Sequence, residues 1–387
     1  MPLSVAGANL VAGLIIIFWF IIKGLKNRIK EIFKNKVALA SISFFMIHVI
    51  GLLWTVNIEW GMEIIRKMLE FGLLLPVLLT ITKQANYHQY VNSFLIAIFI
   101  MVITSYLISF GFISPNIFRG STIENPTSFM SQISYSPFLA FASYFIGQRL
   151  LDSFKKKDYS PSFLFNLFFF SIVITNLFIV GGRTGQAGFF LLLIVFIYQN
   201  FGINLKTFFL AKILTIAVFS IAFYSSQTFN NRISQIFDNY DNYYVEPATS
   251  IGLRLSFSIN TINLFLENPI LGIGTGDFPE EYVLENRKYI KANNFKYHES
   301  LFTVNPHNMY LYVLSLFGMF GGIVFLYFFY TLFKTASNVK NKSIKNAGFA
   351  TIAFFLLINL GDTYLLGHFT TFLFIVFSSF LFKLETD

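Results

Sequence analysis

Apolar stretches long enough to cross a lipid bilayer recur from one end of this 387-residue chain to the other. A hydrocarbon core about 30 Å thick needs roughly 20 apolar residues in helical form. Eleven such spans are predicted, at about 3–22, 37–55, 63–82, 91–113, 129–148, 163–180, 187–203, 208–224, 309–330, 347–363 and 366–382. The expected fold class is an all-α polytopic membrane protein. The weakly alternating ten-residue segments of an outer-membrane barrel dominate nowhere. With 55% hydrophobic residues, 12% charged residues and 52 phenylalanines, the chain is not the set of soluble domains that its length alone would allow.

The net charge of +9 is unevenly spread. Lys and Arg prefer the cytoplasmic ends of membrane spans. If the chain starts outside, the inner loops collect the basic residues of 23–36, Lys83, Arg149, Lys155, Lys156, Lys157, Lys206, Lys334, Lys340, Lys342, Lys345 and Lys383. The short outer loops then hold only Arg119 and Arg183. Eleven spans put the termini on opposite sides, with the C-terminus cytoplasmic. The basic loops are short and carry no interleaved base-stacking aromatics, so membrane orientation explains the charge and a nucleic-acid partner does not. There is no cysteine, which excludes disulfides and thiolate metal sites. The first apolar run, followed by "KGLKNRIKEIFKNK", reads as a retained span and not a cleaved signal.

Residues 225–308 form the one long polar connection, on the outer face in this topology, so the chain is expected to divide into spans over 1–224, a periplasmic loop over 225–308, and spans with a cytoplasmic tail over 309–387. Within the loop, an amphipathic helix is predicted from about Leu253 to Glu267, stopped by Pro269 and a Gly-rich turn. Leu255, Ile259, Ile262 and Leu266 mark its apolar face, and Arg254, Ser258 and Thr261 another. A more charged helix follows over about Glu280–Ala292. "DNYDNYY" (Asp238–Tyr244) reads as loop. "GIGTG" (Gly272–Gly276) follows a proline and lacks GKS or GKT, so it reads as a turn and not a nucleotide cradle. Glu63, Arg66, Lys67 and Glu70 are spaced to pair Glu63 with Lys67 and Arg66 with Glu70.

Several polar residues sit where spans meet that outer face. Arg183, in "FIVGGRTGQAGFF", is either a snorkelling end residue or an anion site. In the second case Gly182 and Gly185 would admit a phosphate to the backbone while the guanidinium fork grips its oxygens. Arg254 falls in the first turn of its helix, where an arginine is commonly just solvated; the dipole prefers acids there, and a bound anion would repair that mismatch. His307, in "VNPHNMYLYVLSLFGMFGG", is by itself more often a local hydrogen-bonding residue than a catalyst, and Asn305 or Asn308 can serve as the helix cap. His298 and His368 fall near the same face without metal-ligand spacing. Asp362, in "INLGDTYLLGHF", either orients a histidine or caps a helix.

Taken together, Arg183 in "GGRTG", Arg254 in "SIGLRLSF" and His307 in "NPHNMYLYVLSLFGMFGG" resemble the O-antigen ligase family of the bacterial inner membrane, whose relatives include O-antigen polymerases and O-linked protein oligosaccharyltransferases. The likeness is strongest from Ser250 to Gly322. It implies transfer of a glycan from undecaprenyl pyrophosphate to a hydroxyl of the lipid A core oligosaccharide at the periplasmic face, with neither metal nor nucleotide as cofactor. His307 takes the place of the family's base, Arg183 and Arg254 those of its pyrophosphate-binding arginines, and Asn308, His298 and Asp362 remain secondary candidates. Ligases usually have twelve spans, and this chain begins at what would be the second. Polymerase and protein glycosyltransferase share the donor chemistry and stay open. A transporter of lipid-linked sugar would instead place discontinuous helices and charges at the midplane.

Overall fold

The computed structural model describes residues 2–241 and 248–383, and the described residues are helical, without β-strands. In chain order the helices are α1 (Val5–Ile21), α2 (Leu25–Lys34), α3 (Lys36–Ile50), α4 (Ile58–Leu69), α5 (Leu75–Ile81), α6 (Tyr87–Ser109), α7 (Gln132–Lys156) and α8 (Pro161–Ile179). They continue as α9 (Arg183–Phe201), α10 (Leu205–Ser225), α11 (Gln227–Asp241), α12 (Ser250–Glu267), α13 (Phe278–Ala292), α14 (Met309–Asn338), α15 (Lys342–Ile358) and α16 (His368–Leu381).

Six helical stretches among the described residues are long and apolar enough to cross a membrane: Lys36–Trp54, Gln84–Ser109, α8, α9, α10 and α14. A seventh counts if α1 and α2, bent by 113°, form one broken span. The bend falls at Gly24, whose φ is 92°, and the Arg28 guanidinium closes it by donating to the carbonyls of Trp19, Ile22 and Lys23. The remaining predicted spans form shorter or less apolar helices. The 63–82 stretch is interrupted by a π-helical turn at Glu70–Leu74. The 129–148 stretch lies on the more polar α7, while 347–363 and 366–382 fall on the 17-residue α15 and the 14-residue α16. At about 1.5 Å per residue, α16 rises only ~21 Å.

The described residues pack as two compact units. The first is built on Ala85–Ser234 with short pieces of 2–9 and Leu356–Ile358; the second comprises Leu10–Gln84 and the described parts of 235–355 and 359–387. In the first, α7 is the central helix, with Tyr135, Phe138 and Phe141 fully buried. Buried polar groups link the unit's helices: Tyr135 Oη donates to Asn176 Oδ1 at 2.8 Å, and Asn176 Nδ2 donates to Ser105 Oγ at 2.7 Å. Such bonds hold apolar helices together where lipid offers no hydrophobic drive.

The second unit's core is aromatic. Phe44, Phe71, Phe328 and Phe374 pack from α3, the π turn, α14 and α16 with ring centroids 5.4–6.0 Å apart. The π turn that seats Phe71 is steadied by Ser41 Oγ, which donates to the Phe71 carbonyl at 2.6 Å. The predicted ladder on α4 holds for Glu63 with Lys67 and is corrected for Arg66, which pairs with Glu63 and not with Glu70. Arg66 grips Glu63 with two donors at 2.9 and 2.6 Å, Lys67 approaches the same carboxylate at 3.7 Å, and Glu70, carried round by the π turn, faces His368 at 3.7 Å. The "DNYDNYY" stretch predicted as loop begins on α11, which reaches Asp241; residues 242–247 lie outside the described ones.

Candidate functional site

His307 stands on the last step of the chain before α14. Pro306 fixes the approach, and the His307 N–H donates to Asn305 Oδ1 at 3.0 Å. The His307 backbone takes φ 52°, in the left-handed region that costs a non-glycine residue about 1–2 kcal/mol. What this conformation secures is the ring. Nδ1 lies 3.1 Å from Asp362 Oδ1, and the imidazole stacks on Phe257 with centroids 5.7 Å apart and planes 27° from parallel. An ionised carboxylate can only accept, so Nδ1 carries the hydrogen and the Nε2 lone pair is left for another partner. Nε2 makes no hydrogen bond among the described residues, and the side chain is about 32% exposed.

Asp362 is held in turn. Its Oδ1 accepts from the Thr363 N–H at 2.7 Å. Asn308 caps α14, its Oδ1 accepting from the Tyr310 and Leu311 N–H groups at 3.0 and 3.1 Å, while its Nδ2 donates to the Leu360 carbonyl at 3.3 Å. With Met309 N–H donating to the Asn359 carbonyl at 2.8 Å, these bonds stitch the start of α14 to the loop that carries Asp362. His298 serves its own turn: Nδ1 accepts from Ser300 N–H at 3.2 Å and lies 2.6 Å from Ser300 Oγ.

Arg254 lies on α12 one turn before Phe257, the ring against which His307 stacks, and residues three apart share a helix face. Its guanidinium makes no hydrogen bond or ion pair among the described residues, although the residue is half-buried. The burial of α12 corrects the sequence reading. Ser256, Phe257, Asn260, Thr261 and Leu264 face inward, while Ile262 and Leu266 are 41% and 63% exposed. Periodicity found an apolar face but not what it meets. The inward polar face joins a buried network, which leaves Asn260 Oδ1 without a partner among the described residues: Asn260 Nδ2 donates to Asn286 Oδ1 at 2.8 Å and to Tyr282 Oη at 3.2 Å. Asn286 Nδ2 and Tyr282 Oη donate to the Leu301 carbonyl at 2.9 and 3.2 Å. That network fixes the turn just ahead of His307.

The glycine turn is structural, as predicted. α14 breaks at Gly318 (φ 60°, ψ −155°), and the turn enters the break. Ile273 and Gly274 N–H donate to the Ser315 and Leu316 carbonyls at 2.9 Å, and Met319 N–H donates to the Pro269 carbonyl at 2.8 Å. Asp277, at its far end, accepts from the Val56 and Asn57 N–H groups at 2.7–3.0 Å.

In the other unit, Arg183 opens α9. A Cβ on either Gly182 or Gly185 would collide with Ser136 of α7, so both are small where α9 packs on α7. The turn is braced by Asn125, whose Oδ1 accepts from Gly181 N–H at 3.1 Å and whose Nδ2 donates to Gln132 Oε1 at 2.6 Å. Sequence reading missed Arg232. Its guanidinium lies 3.1 Å from where a Gly181 Cβ would stand, and it makes no hydrogen bond or ion pair among the described residues. A lone arginine on an amphipathic helix gave no signal of this, because only the fold brings α11 to the turn.

Within the second unit the described residues thus bring His307 and Asp362 together, with Phe257 stacked on the imidazole and Arg254 one turn before Phe257 on α12. Comparison with known proteins bears on this segment. Residues 168–326 match the family model described as O-antigen ligase, a stretch that contains Arg183, Arg232, Arg254 and His307, so the resemblance read from those motifs holds over that segment. The chain is also 30% identical over 125 residues to a Rickettsia conorii protein described as "Putative polysaccharide ligase", an alignment covering 30% of this chain and 28% of that relative's length.

Proposed function

We propose that this protein is a ligase-type glycosyltransferase that moves a glycan from undecaprenyl pyrophosphate to a hydroxyl of the lipid A core oligosaccharide. The observation that carries the reading is the His307–Asp362 pair beside Arg254, within the segment that matches the O-antigen ligase family. The acceptor O–H meets Nε2 of His307, which takes its proton as the oxygen attacks the anomeric carbon. Asp362 stabilises the imidazolium that results, a general-base role worth about 10²–10⁴ in rate. The bond from the anomeric carbon to phosphate oxygen breaks, and the lipid pyrophosphate leaves with the electron pair. Arg254 meets the charge that grows on the leaving group, which favours the transition state over the ground state. Arg183 has the same role by its motif, and Arg232, beside the same turn, joins it. Attack opposite the leaving group inverts the anomeric configuration.

In this reading the chain is a multi-pass protein of the bacterial inner membrane with eleven spans, residues 1–224 and 309–387 flanking a periplasmic loop over 225–308. The exposed apolar edge of α12 rests on lipid at that face. Labelled lipid-linked glycan offered with lipid A core, with a second lipid-linked glycan, or with acceptor protein tests the assignment. Product on the core oligosaccharide is expected; product only on glycan makes the enzyme a polymerase, and product only on protein an O-linked oligosaccharyltransferase.

A further inference from the structure

Within the second unit, a cavity of about 580 Å³ opens among the end of α2, the start of α3, the last turns of α14 and the residues after α16. Lys34, Lys36, Lys334 and Lys383 line it, with Glu31 as its one acid. Lys383 is committed to the fold, since Nζ donates to the Thr82 carbonyl at 2.8 Å and approaches Glu31 at 3.6 Å. That contact occupies the acid as well. The ammonium groups of Lys34, Lys36 and Lys334 make no hydrogen bond or ion pair among the described residues, so three positive charges line one cavity without a counter-charge.

The corner between α2 and α3 explains why two of them converge. Asn35 caps α3, its Oδ1 accepting from Val37 and Ala38 N–H at 2.9 and 3.1 Å, and the lysines on either side of the cap flank the opening. Tyr327 and Tyr330, at 52% and 58% exposure, stand at the rim, the kind of ring that marks a membrane–water boundary. Thr331 and Thr335 on the wall are both spent on backbone carbonyls one turn back, Tyr327 and Thr331. Their hydroxyls therefore leave lone pairs and no free hydrogen, and the binding charge is that of the lysines. The stretch Met319–Asn338 rises ~30 Å at about 1.5 Å per residue, the thickness of a hydrocarbon core, so this cavity belongs to the end of α14 remote from His307.

We propose that this cavity binds the phosphate headgroup of an anionic membrane phospholipid. A phosphodiester supplies the missing charge for Lys34, Lys36 and Lys334, the rim tyrosines meet the glycerol region, and the acyl chains pass out along the exposed apolar surface of α14. The bound lipid then ties α2, α3 and the distal end of α14 to one leaflet.

The test uses the full-length protein in nanodiscs of phosphatidylcholine with and without phosphatidylglycerol, reading lipid retained after detergent extraction by native mass spectrometry. Wild type is expected to retain phosphatidylglycerol in preference to phosphatidylcholine. Lys34→Gln and Lys334→Gln, both exposed positions, each weaken that preference about fivefold, and the triple change with Lys36→Gln by on the order of a hundredfold. Lys155→Gln/Lys156→Gln/Lys157→Gln, which removes as many charges from the end of α7, leaves it unchanged. Loss in that control equal to the loss in the cavity variant overturns the proposal, because diffuse charge then suffices. So does equal retention of both lipids by wild type. Displacement by millimolar inorganic phosphate or glycerophosphate would reassign the cavity to a soluble phosphate and overturn the lipid as its ligand.

Discussion

At the scale of single residues, the chemistry turns on a ring held in an unfavoured backbone. His307 is strained at φ 52°, and Asp362, Asn305 and Phe257 together define where its free nitrogen points. Removing the base by His307→Ala should lower kcat about 10²–10⁴-fold with donor binding retained. Asp362→Asn keeps the shape while losing the anion that fixes the tautomer, and should cost on the order of 10²-fold or more without altering donor affinity. Single-turnover transfer with labelled donor, beside equilibrium donor binding, separates these outcomes; donor binding lost together with transfer would place both residues in the phosphate site. Arg254→Lys keeps charge but not the fork and should fall between wild type and Arg254→Ala, whose loss is expected at about 10²–10³-fold. His307 and Arg254 were legible in their motifs. Asp362 was legible only as an acid with two possible duties, because the contact that decides between them joins residues 55 apart in sequence.

At the scale of elements, helix limits were legible and helix environments were not. Pro269 ends α12 as predicted and α13 falls where its charge pattern put it, yet α12 turns its polar side inward, where the Asn260 amide donates to Tyr282 and Asn286. The break in α14 is equally invisible to hydropathy. A discontinuous helix is a mark of transporters, but here the turn from Pro269 to Gly274 enters the break and occupies carbonyls and N–H groups on both sides of it. Gly318 is then obligatory: a Cβ would meet the Ile270 carbonyl, and φ 60° with ψ −155° is a glycine conformation. Gly318→Ala should cost about 1–3 kcal/mol from the backbone alone, read as a lowered unfolding midpoint in detergent, with transfer falling as the His307 end of α14 loosens. On α13, burial first, then Asp277 and Glu267, raise the Glu281 carboxyl above its ordinary range. An acid whose folded pKa is raised is penalised once it ionises, so the penalty is absent below about pH 4.5 and sets in as pH rises through the folded value. Glu281→Gln should therefore stabilise the protein slightly at pH 7, solvent screening keeping the effect small, and leave it unchanged at pH 4.

At the scale of the whole molecule, sidedness decides which substrates the His307 pocket can meet. Eleven apolar stretches were legible in the sequence, and six helical segments, or seven with the bent pair, reach spanning length and apolarity. The rest fell short for local reasons: a π turn after α4, polar residues along α7, and the brevity of α15 and α16. Hydropathy counts residues, whereas the fold spends some of them on turns. The proposed chemistry survives any recount that keeps His307 and Arg254 opposite the lysine-rich loops, because the donor's headgroup and the acceptor meet on one side only. The chain contains no cysteine, so single introduced thiols report sidedness without background. Tyr297→Cys, on an exposed position ahead of His307, should react with an impermeant maleimide added to spheroplasts. Lys155→Cys, at the basic end of α7, should react only after permeabilisation. The reverse pattern would turn the His307 pocket toward the cytoplasm, where no lipid A core awaits a ligase, and would return the enzyme to a different donor and acceptor altogether.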